Sequence, residues 1–165
     1  MQLKLILEAL LVAAPGPLTL RKLAEITGIE ERDARRLVSE LKEEYDLAGR
    51  AIEIREVAGG YKIYTRPEYA PYVEKLFPER RPPISQAALE TLAIVAYRQP
   101  ITRAELEAIR GVKVSGVLDH LLESKLVVEV GRKMGPGRPI LYGTGRGFLQ
   151  YFGLNDLKEL PPLGA

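Results

Sequence analysis

A chain of 165 residues with a formal charge of +2 has room for one medium-sized domain or two small ones, and its charge balance marks it neither as a polycation nor as an acidic tail. The absence of cysteine excludes disulfides, thiolate nucleophiles and cysteine metal sites, and a single histidine, His120, leaves little material for acid-base or metal chemistry. The longest uncharged run, Ala9 to Leu20, contains two prolines and is too short to span a bilayer.

In chain order, Leu3 to Ala14 reads as a first helix. Leu18 to Gly28 reads as a second, started by Thr19, stopped by Gly28, with Leu18 and Leu23 at hydrophobic-staple positions. A third runs from Glu30 to about Leu47 and carries Ala34, Leu37, Val38, Leu41 and Tyr45 at the spacing of one buried face. The period then changes to two: Ile52 to Arg55 and Tyr61 to Tyr64 alternate as strands around the turn Ala58-Gly-Gly60. Three helices and a hairpin make a winged helix-turn-helix.

The proline-rich stretch Leu76 to Pro83 reads as a stiff linker. Beyond it the pattern repeats at an offset of 83: Val12/Val95, Ala13/Ala96, Pro17/Pro100, Thr19/Thr102, Leu23/Leu106, Ile26/Ile109 and Gly28/Gly111 are identical pairs. The first helix has the apolar look of a signal peptide, but its internal twin around Leu89 to Tyr97 makes a domain helix the better reading. The second copy starts at Ser85. Thr102 to Glu105 spells a capping box, and Val117, Leu118, Leu121 and Leu122 give its third helix an apolar face. Val127 to Val130 and Ile140 to Tyr142 form its hairpin around the Gly- and Pro-rich loop 131–139, and Phe148 to Leu160 is a closing amphipathic piece that packs Phe148, Phe152 and Leu157. The expected fold class is therefore α+β, mainly α: two tandem winged helix-turn-helix domains, 1–78 and 85–165, joined by a linker, 79–84.

Catalytic patterns are scarce. His120 sits where an ordinary exposed helix residue would, the acids are interleaved with Lys and Arg as on a solvated face, and Gly143-Thr-Gly-Arg-Gly147 has the wrong spacing and context for a phosphate loop and reads as a turn. Winged helices commonly set helix three in the DNA major groove. Here Glu30 to Leu47 holds seven acids against four bases, a net of −3, and the equivalent Val114 to Lys125 is also net negative. Phosphate binding needs Lys and Arg, and the exception is the second wing, whose Arg132, Lys133 and Arg138 form a small basic tip capable of weak DNA contact. What remains is protein recognition. Helix one is apolar nearly all round, and its surplus face, Leu5, Ala9 and Val12, is a candidate surface for self-association as a twofold dimer. Tyr61, Tyr64, Tyr69 and Tyr72 around the first wing suit an interface and ordinary packing equally.

Ser85 to Gly111, Glu129 to Thr144, Phe148 to Leu154 and Leu160-Pro-Pro-Leu163 closely resemble the segregation and condensation protein B family of bacteria, and the first domain follows through Glu8-Ala-Leu-Leu11, Glu56 to Tyr61 and Thr65 to Tyr72. Val114 departs from the polar residue expected at the start of helix three. The resemblance implies two winged-helix domains, dimerisation through the first, no enzymatic activity, no cofactor and no metal. It implies as partner a kleisin subunit, ScpA, through which the protein joins the head domains of an SMC ATPase in a cytoplasmic, nucleoid-associated condensin-like complex that condenses and segregates chromosomes, touching DNA only within that assembly. Within the family-like segments of the second domain, Tyr97, Arg98, Gln99, Arg103, Arg138 and Pro139 lie off the core period and are the candidate kleisin contacts, although Tyr97 to Pro100 serves equally as a plain turn and Gly135 to Pro139 as a plain wing loop. A winged-helix transcriptional regulator that reads DNA is the alternative.

Overall fold

The computed structural model describes residues 3–77 and 84–162. The chain falls into two compact units, Met1–Arg80 and Arg81–Ala165, each with its own apolar core. The proline-rich residues 78–83 lie outside the described residues, and Ile84 just after them packs against the second core.

In unit 1, α1 (Leu3–Ala13), α2 (Leu20–Thr27) and α3 (Glu31–Leu47) precede a hairpin of β1 (Ile52–Val57) and β2 (Gly60–Thr65). The Thr19 side chain accepts from the Lys22 N–H, and Gly28 closes α2 in the left-handed region at φ 72°, so the cap residues read from the sequence set both ends. Leu7, Leu11, Leu23, Ala34, Leu37, Val38, Leu41 and Ile54 form the core. The hairpin pairs Ile54 with Ile63 and Val57 with Gly60. Gly60 is required there because Tyr61 and Leu18 exchange backbone hydrogen bonds of 2.8 and 2.9 Å, and a Cβ on Gly60 would stand 2.9 Å from the Leu18 carbonyl carbon. After the hairpin, Pro67–Leu76 forms three short helical pieces, among them α4 (Ala70–Val73), which alternating periodicity does not announce.

Unit 2 repeats the order with α5 (Gln86–Arg98), α6 (Arg103–Arg110), α7 (Ser115–Glu123), β4 (Val127–Arg132) and β5 (Ile140–Thr144), so the fold is α+β, mainly α, with the elements of a winged helix in each unit. The Thr102/Glu105 capping box is complete, and Gly111 closes α6 at φ 71°. A two-residue strand, β3 (Ile101–Thr102), also pairs with β5 and gives the sheet order β3-β5-β4. Val114 is buried, and the Glu107 carboxylate accepts its N–H at 3.2 Å, so α6 supplies the start that α7 lacks in its own sequence.

One expectation is refined and one is corrected. The closing amphipathic piece divides in two: α8 (Arg146–Phe152) ends at left-handed Gly153, a separate 3-10 turn covers Leu157–Glu159, and Phe152, 43% exposed, keeps its ring 4.8 Å from buried Phe148. The glycine run 143–147, read as a turn, joins two regular elements instead: Gly143 and Thr144 belong to β5, and Gly147 lies inside α8, where a Cβ would stand 2.5 Å from the Lys125 carbonyl oxygen.

Candidate partner-binding surfaces

On α1, Leu7 and Leu11 face the core, while Leu5 (54% exposed), Ala9 and Val12 (65% exposed) share the opposite side within an arc of about 60°. Burial on one side and exposure of aliphatic groups on the other is the arrangement expected of a helix awaiting a second partner. The helix is anchored by polar ties to α3: the Lys4 ammonium pairs with Glu44, and the Tyr45 hydroxyl donates to the Glu8 carboxylate. Burial, then the bond to Glu8, pushes the Tyr45 phenol up to about 12. Leu5 also borders a cleft with Leu41, Tyr45 and the strongly exposed Leu47.

The six residues expected to meet a kleisin divide. Arg103 and Pro139 come together, with Arg132, Glu107 and Tyr142, around one cleft between α6 and the second wing. Arg138 is at the exposed wing tip, where its carbonyl accepts from the Arg132 guanidinium at 3.1 Å, and Lys133 is tied back to Glu105 at 2.6 Å. That lysine, followed by the N–H and hydroxyl of Thr102, holds the Glu105 carboxyl down at about 2. Gln99 is instead occupied within the unit: its amide donates to the Ala96 carbonyl and the Thr144 hydroxyl, and its oxygen accepts the Thr144 N–H at 2.8 Å. The half-buried Tyr97 donates to the Pro161 carbonyl at 2.5 Å, and Arg98 is exposed at the end of α5. Arg132, the basic wing residue set aside for DNA, thus lines the same cleft as two kleisin candidates. Its three-dimensional proximity to Arg103 has no signal in sequence spacing.

The third helices offer poor terrain for a DNA groove. Asp33 and Glu40 on one flank of α3 and Glu31 on the other would face the phosphate strands, and α7 exposes Asp119, His120 and Glu123. Among the described residues no cluster of three or more His, Cys, Asp or Glu side chains is placed to hold a metal ion, and no helix is long and apolar enough to cross a membrane.

Fold and surfaces together define a tandem winged-helix protein with an uncovered apolar helix and a basic-rimmed wing cleft. The family model of the segregation and condensation complex subunit ScpB matches residues 5–163, and the chain belongs to that family. The segregation and condensation protein B of Symbiobacterium thermophilum is 57% identical over 97% of this chain and 73% of its own length. The crystal structure of ScpB from Mycobacterium tuberculosis is 39% identical, with 93% of this chain and 96% of that one covered, at a TM-score of 0.45. A dimer of an ScpB N-terminal domain solved in complex with an ScpA peptide is 35% identical over 44% of this chain and 91% of its own, at a TM-score of 0.42.

Proposed function

We propose that this chain is a non-catalytic scaffold of a condensin-like complex: a homodimer that holds the kleisin ScpA, and through it the heads of an SMC ATPase, in chromosome condensation and segregation. The observation that carries the reading is the uncovered face of α1, Leu5, Ala9 and Val12, in a member of the ScpB family. A protein whose spare surface is apolar and whose third helices are bordered by carboxylates is suited to protein partners. Domain 1–78 would supply the dimer contact, domain 85–165 the kleisin contact, and 79–84 the connection between them. DNA would be met only within the assembly, with Arg132 and Lys133 as weak backbone contacts.

The kleisin site is placed on the second unit around Arg98, Arg103, Arg138 and Pro139, with Tyr97 and Gln99 shaping the turn beside them. A flexible kleisin segment that orders on this surface gives up part of its association energy to that ordering. Replacing Arg98 and Arg103 together by Glu tests the placement: ScpA affinity measured by calorimetry falls by about tenfold or more while the melting temperature holds. Unchanged affinity removes these residues and moves the kleisin to the first unit, the part of ScpB that was solved with an ScpA peptide.

A further inference from the structure

The two units differ after their hairpins. β2 ends at Thr65 and β5 at Thr144, and in each unit the next residue caps a helical segment. In unit 2 that segment folds onto its own core: Phe148 is buried, and Leu149, Leu154, Leu157 and Leu160 pack against the same cluster. In unit 1 no residue of the segment 67–76 is buried, and none is among the side chains packed against the core. This arm holds Tyr72, Leu76 and Phe77 at 72%, 73% and 62% exposure, and Tyr69 is exposed as well. Tyr69, Tyr72 and Leu76 follow at steps of three and four, the spacing that aligns side chains along a helical rod. The root of the arm is fixed. The Arg66 guanidinium donates to the Arg50 carbonyl at 2.8 Å and to Asp46 at 2.6 Å, and the Arg66 N–H donates to the Ala51 carbonyl at 2.9 Å. Arg50 and Leu5 line one cleft, so the arm leaves unit 1 on the side where the uncovered face of α1 begins.

We infer that the face of α1 is covered by the arm 69–77 of a second copy of this chain, exchanged reciprocally about a twofold axis. The contact presupposes the homodimer proposed above and names the element that makes it. The α1 face is free of charge, because the two charged residues of the helix turn to α3, Lys4 to Glu44 and Glu8 to Tyr45. An aromatic and aliphatic arm settles on such a strip without stripping water from ions. Unit 2 makes the same match within itself: its segment after the hairpin reaches back to its first helix, where Tyr97 of α5 donates to the Pro161 carbonyl. In unit 1 one chain carries both halves of the match unused, and a twofold joins both pairs at once, as an isologous interface requires. The exposed portions of Leu5, Val12, Tyr69, Tyr72, Leu76 and Phe77 come to roughly 700 Å² per protomer, close to the ~800 Å² that each partner buries in an interface of standard size.

The chain has no cysteine, so single introduced cysteines report proximity without interference. Full chains carrying Val12→Cys and Tyr72→Cys separately are co-expressed with different affinity tags, purified as mixed pairs and treated with a short bis-maleimide. A link between positions 12 and 72 then forms only between chains. It is expected to form about tenfold faster, or more, than in the pair of Val12→Cys with Met134→Cys, whose cysteine stands on the exposed second wing. Tyr72→Ser with Leu76→Ser is expected to raise the dimer dissociation constant by about tenfold or more in sedimentation, with helix content unchanged because neither side chain packs on the core. A dimeric wild type in which the link fails to form, or in which the serine variant associates as tightly, overturns the arm contact and leaves the homodimer standing. A monomeric wild type overturns both. Linkage within single molecules of the Val12→Cys, Tyr72→Cys double variant, without linked pairs, places the arm on its own α1 and overturns the exchange. So does a serine variant that stays dimeric and loses ScpA, which assigns the arm to the kleisin.

Discussion

Val12 and Val95 are identical and sit at matching places in the repeat, yet Val12 is 65% exposed and Val95 is fully buried. The cause is one extra residue in the loop before α2. Thr19/Thr102 and Gly28/Gly111 keep the offset of 83, whereas the buried pairs Leu7/Thr91 and Leu11/Val95 in the first helices follow 84. Exposed Leu5 and Ala9 then match exposed Leu89 and Ala93. Identity at a fixed offset was legible in the sequence, but which face it lands on depends on a single-residue slip that rotates a helix by about 100°. For α1 the consequence is testable. Val12→Glu with Leu5→Glu leaves the melting temperature nearly unchanged and shifts the mass measured by light scattering from dimer to monomer, whereas Leu7→Ala costs about 2–5 kcal/mol because its site is in the core. Tyr45→Phe removes one donor to Glu8 and lowers stability in chemical denaturation by about 1 kcal/mol.

At the scale of elements, caps and turns were the most readable features, because Thr19, Gly28, the Thr102/Glu105 box and Gly111 act through their immediate neighbours. β3 and the backbone exchange between Leu18 and Tyr61 join residues about 40 apart in sequence, and the support of Val114 by Glu107 crosses the turn between α6 and α7, so no local period encodes them. The cleft of Arg103, Arg132 and Pro139 escaped for the same reason. Glu105 joins the α6 cap to the second wing, and its depressed carboxyl fixes a pH dependence. Stability from its ionised form is present above the unfolded value near 4.5 and is lost as pH falls toward about 2. Wild type therefore loses stability over that acid window, and Glu105→Gln, less stable at neutral pH, shows a flatter profile there in urea titrations.

For the whole molecule, two separate cores predict local rather than shared consequences. Leu23→Ala and Leu106→Ala each open a cavity of the kind that costs about 2–5 kcal/mol, and hydrogen exchange monitored by mass spectrometry should rise within 3–77 for the first and within 84–162 for the second. Exchange rising equally in both units would mean that they unfold as one. The fold class and the tandem arrangement were visible from periodicity and repetition. The proposed kleisin partner rests on family membership, since no catalytic or ligand motif in the sequence points to one.

The central claim is that the partner of this chain is a kleisin and not a DNA sequence. Calorimetric titration of purified ScpA into the full chain at physiological salt, repeated with excess duplex DNA, puts it to the test. Saturable binding at one ScpA per two chains, unchanged by DNA, is the expected result; no heat with ScpA, together with sequence-selective and steeply salt-dependent DNA binding, would contradict the scaffold and make the chain a DNA reader.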